Sequence, residues 1–124
     1  MTIIAANQLR GSTHDITIRN SAGVAIAPAA ADEVRVIIGR LSELGGTAPT
    51  PTGHKLLVTS AAATVNGSSF TKNSPSSGIN RLRLDAQDLT FDPGTYTMLV
   101  DFFDNADAGE FKTVDRQVFV LGET

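Results

Sequence analysis

The sequence contains no cysteine and no tryptophan, only one tyrosine and two histidines in 124 residues. Lack of cysteine excludes disulfides, thiol nucleophiles and thiolate metal ligands, and fits manufacture in a reducing cytoplasm. Basic residues are few: ten Lys and Arg against thirteen Asp and Glu leave a net charge of -3. Binding to a phosphate backbone needs clustered positive charge, and here the basic residues are scattered, so nucleic acid is not an expected partner. No stretch approaches the roughly 18 consecutive apolar residues of a membrane-spanning helix. The start, "MTIIAANQLRGSTHD", has neither a basic opening nor a small-residue cleavage site, so no secretion signal is expected.

What is present is aliphatic and alternating. Ala, Val, Leu and Ile supply most of the apolar fraction of 41%, enough for one core at this length, and residues 1–124 read as a single domain. Apolar residues recur two apart between turn-forming clusters, the period of half-buried strands. Ile16 and Ile18 are followed by the turn "NSAG"; Val34, Val36 and Ile38, the run Leu56 to Val58, Leu82 and Leu84, and Val118 and Val120 repeat the pattern. The clearest strand carries Tyr96, Met98, Val100 and Phe102 on one face.

A helix after Pro28 competes for "APAAADEVRVIIGRL", but Val34 to Ile38 is dense in β-branched residues, which favour strand. "DAQD", Asp85 to Asp88, reads as a short helical turn between sheets. Two polar insertions, Glu43–His54 and Asn66–Asn80, read as exposed loops or hairpin tips. Residues 1–10 are an N-terminal arm or an edge strand. About seven short strands without intervening helices predict an all-β fold, an antiparallel β-sandwich with two long loops; an open barrel is the alternative.

The segment "DPGTYTM" begins the clearest strand. Pro93 presets a turn angle, Gly94 permits a positive one, and Asp92 can accept hydrogen bonds from nearby backbone. Tyr96 then places its ring in the core near the rim and returns its hydroxyl to the backbone upstream, the tyrosine corner of Greek-key sandwiches. Two residues on, where an antibody domain carries half of its disulfide, stands Met98, an unbranched thioether suited to filling an irregular gap. The pattern is therefore that of an immunoglobulin-like sandwich without the antibody bridge.

Motifs for chemistry are sparse. His14 and His54 sit in polar surroundings and read as surface residues, and no "G-x-S-x-G" elbow accompanies them. Neither nucleotide-binding glycine pattern occurs. The acidic stretch containing Asp101, Asp104, Asp107 and Glu110 lacks the ligand spacing of an EF-hand and reads as a solvated hairpin turn rather than a calcium site. "NGS" at Asn66 matches a glycosylation sequon, expected to stay unmodified without a secretion signal. No catalytic residue, metal or cofactor is expected.

The order "THDITIRNSAGVAIAPAAADEVRVIIGRL", then "LDAQDLTFDPGTYTMLVDFFDNADAGEFKTVDRQVFVL", resembles the immunoglobulin-like modules of tailed-phage virions, both capsid decoration proteins and baseplate or tail adaptors. The resemblance spans most of residues 13 to 121. It implies a non-enzymatic virion protein, made in the host cytoplasm, whose partners are the major capsid protein or other virion subunits, with homo-oligomerisation open. Short length favours decoration over an adaptor. Candidate contacts are the long loops, with Thr47, Pro49, Pro51, Phe70 and Lys72, the arm Thr2 to Leu9, and Arg81 and Arg83, which share one strand face. Phe70 is expected to be exposed, as an interface anchor or as the aromatic of a carbohydrate-binding module, the rival reading.

Overall fold

The computed structural model describes residues 2–4, 12–20, 22–40, 53–104 and 112–121. Its architecture is all-β. Ten strands run in chain order: β1 Thr2–Ile4, β2 Ser12–Ile16, β3 Ile18–Arg19, β4 Ala25–Ile26, β5 Glu33–Gly39, β6 Leu56–Thr59, β7 Ser69–Thr71, β8 Asn80–Leu84, β9 Gly94–Phe103 and β10 Lys112–Leu121. One sheet has the order β1-β10-β9-β5-β6, a second the order β2-β8-β7, and β3 pairs with β4. Every pairing is antiparallel except β1 with β10, which sets Ile3 parallel to Val120. Of the N-terminal segment, residues 2–4 are thus an edge strand, and residues 5–11 lie outside the described residues.

The two sheets face each other over one aliphatic cluster. Val34, Val36 and Ile38 from β5, Val58 from β6, and Tyr96, Met98 and Val100 from β9 meet Ile16, Phe70, Leu82 and Leu84 from the smaller sheet. Strand wins over helix at Val34–Ile38 because the alternate residues fill that cluster while β5 pairs on both sides, with β6 and β9. The pleat places Ile37 on the opposite face of the same sheet, where it too is fully buried. On β10, Val118 and Val120 pair with Thr97 and Thr95 on that outer face, whereas Leu121, opposite Gly94, reaches the core.

Connections follow local chemistry. Asn20 closes the first turn by accepting the N–H groups of Ala22 and Val24, each at 3.0 Å. Asp85 caps the 3₁₀ turn Ala86–Asp88 by accepting the Gln87 N–H at 2.9 Å, as "DAQD" suggests.

Three expectations need correction. The stretch Asn66–Asn80 is not one exposed loop, because β7 lies inside it. Pairing with β8 sets Phe70 opposite Leu82 and turns both inward, so Phe70 is 4% exposed. His14 is not a surface residue either. It alternates with Ile16 on the inward side of β2, half-buried, its Nε2 at 2.8 Å from the Ser12 hydroxyl. Asp101 does not belong to an acidic turn: it lies buried within β9, in register with Arg35 of β5 and Thr113 of β10. Asp104 follows that strand, and Asp107 and Glu110 lie outside the described residues.

Candidate functional site

The corner at Asp92–Met98 is built as its sequence suggests, with an added partner. The Tyr96 hydroxyl donates to the Asp92 carbonyl four residues upstream. Its ring is buried, and Phe91 meets it edge-on at 4.8 Å between centroids. Arg40 completes the arrangement from the end of β5. Its guanidinium lies 4.7 Å from the Tyr96 ring centroid, and Nη2 donates to the Tyr96 hydroxyl at 3.3 Å. Gly94 has φ +150°, and a Cβ there would lie 3.2 Å from Arg40 Nη1. Glycine is therefore favoured by the backbone angle, and a side chain there would also press the guanidinium aside by a few tenths of an ångström. Pro93 follows Asp92 into the turn, and Met98 is 2% exposed in the shared core. These residues hold the corner together.

A second polar assembly joins the sheets at the β6–β7 connection. Asp88, in the 3₁₀ turn, accepts from the hydroxyls of Thr64 (2.6 Å) and Ser68 and from the Asn66 side-chain amide (2.9 Å). The same hydroxyls also accept: Thr64 Oγ1 from the Ser68 N–H at 2.9 Å, and Ser68 Oγ from the Asp85 N–H at 2.8 Å. Burial alone pushes the Asp88 carboxyl up, but the hydrogen bonds from Ser68, Thr64 and Asn66 outweigh it and hold its pKa below the ordinary carboxylate value.

The consequence is a loop with its usual polarity reversed. Ser60 receives the Val34 N–H at 2.9 Å, and Thr59 Oγ1 receives the N–H groups of Ala61 and Ala62 at 3.3 Å. With these hydroxyls and those of Thr64 and Ser68 engaged by the chain's own backbone and by Asp88, Ala61, Ala62, Ala63 and Val65 face solvent, Val65 completely. Turn positions ordinarily carry polar side chains outward, so a pinned run of outward aliphatics is unusual. The run "SAAATVNGSS" was its only sequence signal, and alternation does not detect it.

The candidate contact residues separate into four groups. Phe70 is core, so it can be neither an exposed anchor nor a sugar platform. Lys72 is engaged within the molecule, its Nζ donating to the carbonyls of Ala29 (2.9 Å), Ala30 (3.0 Å) and Asp32 (2.7 Å). Beside it Asn73, with φ 55°, donates to the Pro28 carbonyl at 2.8 Å and accepts the Gly78 N–H at 3.0 Å, tying the β7–β8 loop to the β4–β5 loop.

Arg81 and Arg83 do share the outward face of β8. Arg81 pairs with Asp15 at 3.7 Å, both exposed, and Arg83, exposed, with the part-buried Asp85 at 3.8 Å; such surface pairs contribute about 0–1 kcal/mol. Thr47, Pro49 and Pro51 lie outside the described residues, as does most of the Glu43–His54 insertion.

Among the described residues, the outward aliphatic loop Ala61–Val65 is held against the 3₁₀ turn through Thr64 and Asp88, and Arg83 Nη1 donates to the Gly67 carbonyl at 3.4 Å beside it. Neither a scan against protein-family models nor a search of curated proteins returned a match to this chain.

Proposed function

We propose that the chain is a non-enzymatic structural protein of a tailed-phage virion, an immunoglobulin-like module that docks on the assembled shell as a head decoration protein. The strand order supports the module. The order β2-β8-β7 facing β10-β9-β5-β6 is what a B-E-D and G-F-C-C′ assignment calls for, and the bond from the Tyr96 hydroxyl to the Asp92 carbonyl supports a tyrosine corner at the start of the F-equivalent strand.

The observation that carries docking is the reversed loop. A fixed, outward aliphatic segment loses little conformational entropy on binding, and it lacks the basic and aromatic residues that a lipid surface would favour. Repetition over a lattice adds such small contacts into stable attachment. Burial of Phe70 removes the aromatic weighed for carbohydrate binding, so the docking reading is preferred.

The test is co-sedimentation of the purified protein with capsids of the source virus stripped of this protein. Wild type is expected to pellet with capsids, and Val65→Asp to remain in the supernatant with its melting temperature unchanged, because Val65 touches nothing in the fold. Failure of the wild type to bind either capsids or tails rejects the reading. Binding to tails alone moves it to a baseplate or tail adaptor.

A further inference from the structure

The turn that presents Val65 continues into Asn66–Gly67, the one place in the chain where glycine follows asparagine. This pair has its own covalent chemistry. The peptide nitrogen after an asparagine can attack the side-chain carbonyl carbon, and a following glycine obstructs that approach least because it has no Cβ. Gly67 is at φ +101°, and the positions a side chain would occupy hold only Arg83 and Asp85 atoms at 3.7 Å.

Both ends of the reaction are restrained in the fold. The attacking nitrogen, Gly67 N–H, donates to the Thr64 carbonyl at 3.0 Å. The departing nitrogen, Asn66 Nδ2, donates to Asp88 Oδ1 at 2.9 Å. Reaction requires the first bond to be given up and the second to be lost with the amide.

We propose that Asn66–Gly67 is a latent self-modification site: spontaneous deamidation that the folded turn suppresses, and whose product disables the Asp88 assembly. In the first step Gly67 N bonds to Asn66 Cγ while its proton passes to solvent base. The Cγ–Nδ2 bond breaks, and the nitrogen takes up a proton from water and leaves as ammonia. Water then opens the succinimide at either carbonyl, giving aspartate or isoaspartate. The balance is one water in and one ammonia out at the aspartate stage, with no oxidant or reductant.

Either product replaces a hydrogen-bond donor to Asp88 by a second carboxylate within reach of the first. Like charges that close disfavour joint ionisation, so the modified loop is held less well than the original. Isoaspartate additionally lengthens the backbone by one methylene inside the Thr64–Ser68 turn. The modification is thus self-reinforcing: an opening of the loop permits the reaction, and the product favours further opening. This inference does not depend on the docking reading.

The experiment follows amide loss at residue 66 by peptide mass mapping, with isoaspartate detection, at mildly alkaline pH in buffer and in urea. The folded protein is expected to react at least about tenfold more slowly than the unfolded chain, the factor that one retained charge-assisted hydrogen bond would produce. In buffer, Asp88→Asn is expected to recover part of that difference, while Asn66→Gln abolishes the product in both conditions. Asn66→Asp, made directly, is expected to melt below wild type near neutral pH, and the double variant Asn66→Asp/Asp88→Asn to regain most of the loss. Equal rates in buffer and urea overturn the proposal. So does an Asn66→Asp protein as stable as wild type.

Discussion

The two polar assemblies that tie this sandwich together differ in how far apart their members lie in the chain. At the corner, the Tyr96 hydroxyl and its acceptor, the Asp92 carbonyl, are four residues apart within one turn, and Arg40 joins them from 56 residues earlier. Around Asp88, the partners Thr64, Asn66 and Ser68 come from a connection 24, 22 and 20 residues earlier. The Tyr96–Asp92 bond is therefore a local device that the chain can form as soon as the turn closes, before Arg40 and the core reach it. The Asp88 assembly exists only after the sheets have packed and brought β6–β7 against the 3₁₀ turn. It should be the more sensitive of the two to any loosening of the sandwich.

The largest effect is expected at Asp88. Asp88→Ala removes the acceptor of three side-chain donors at once, and the Ser68 hydroxyl, fully buried, keeps its donor role without a partner. Unsatisfied buried donors cost about 1–3 kcal/mol, so the variant should lose about 2–3 kcal/mol in urea unfolding. If the loss is no larger than the few tenths of a kcal/mol usual at a free surface, the assembly contributes nothing and the comparison collapses. Val65 would then have no rigid mount.

Tyr96→Phe should cost less, about 1 kcal/mol, because the ring still fills its core site and only the hydroxyl is lost. Arg40 sharpens this expectation. Its guanidinium keeps its place over the ring, so Arg40→Met in the Tyr96→Phe background should add less than it does alone, a coupling that a double-mutant cycle measures directly. Independent effects would mean that Arg40 and the Tyr96 hydroxyl do not act together.

The same contrast explains what could be read beforehand. "DPGTYTM" carries its geometry in adjacent positions, so the turn, the buried ring and the returning hydroxyl all follow from spacing. Alternation located β5, β8 and β9 because each has at least two inward apolar positions with which to show a period, Leu82 and Leu84 in β8 and more in the other two. It missed β7, where Phe70 is the one inward position of a three-residue strand in a polar stretch. It also missed Arg40, 56 residues from the hydroxyl it binds, and the Lys72 contacts with carbonyls about forty residues earlier, since backbone acceptors leave no mark in sequence. The reversed loop escaped for a related reason: Thr and Ser look outward-facing until the carboxylate that turns them inward is in place.

The smallest effect expected is in the pH dependence, where the pH range, rather than the sign, separates the assembly around Asp88 from His14. Hydrogen bonds hold the folded Asp88 carboxyl below its ordinary value of 3.8, so the unfolded chain takes up a proton first. Stability from this group is complete above about pH 4 and is lost as pH falls through the lowered folded value. His14 acts earlier. Desolvation lowers its pKa from 6.5, so the unfolded chain again binds the proton first, and stability begins to fall as pH drops below that value, levelling off once the folded residue is protonated. Urea midpoints measured from pH 8 to pH 3 should therefore decline in two stages. His14→Gln should remove the upper stage and leave the lower, whereas Asp88→Asn should diminish the lower and leave the upper. A lower stage unchanged in Asp88→Asn would assign acid sensitivity to other carboxylates and leave the Thr64, Asn66 and Ser68 contacts without a measurable share in holding the loop.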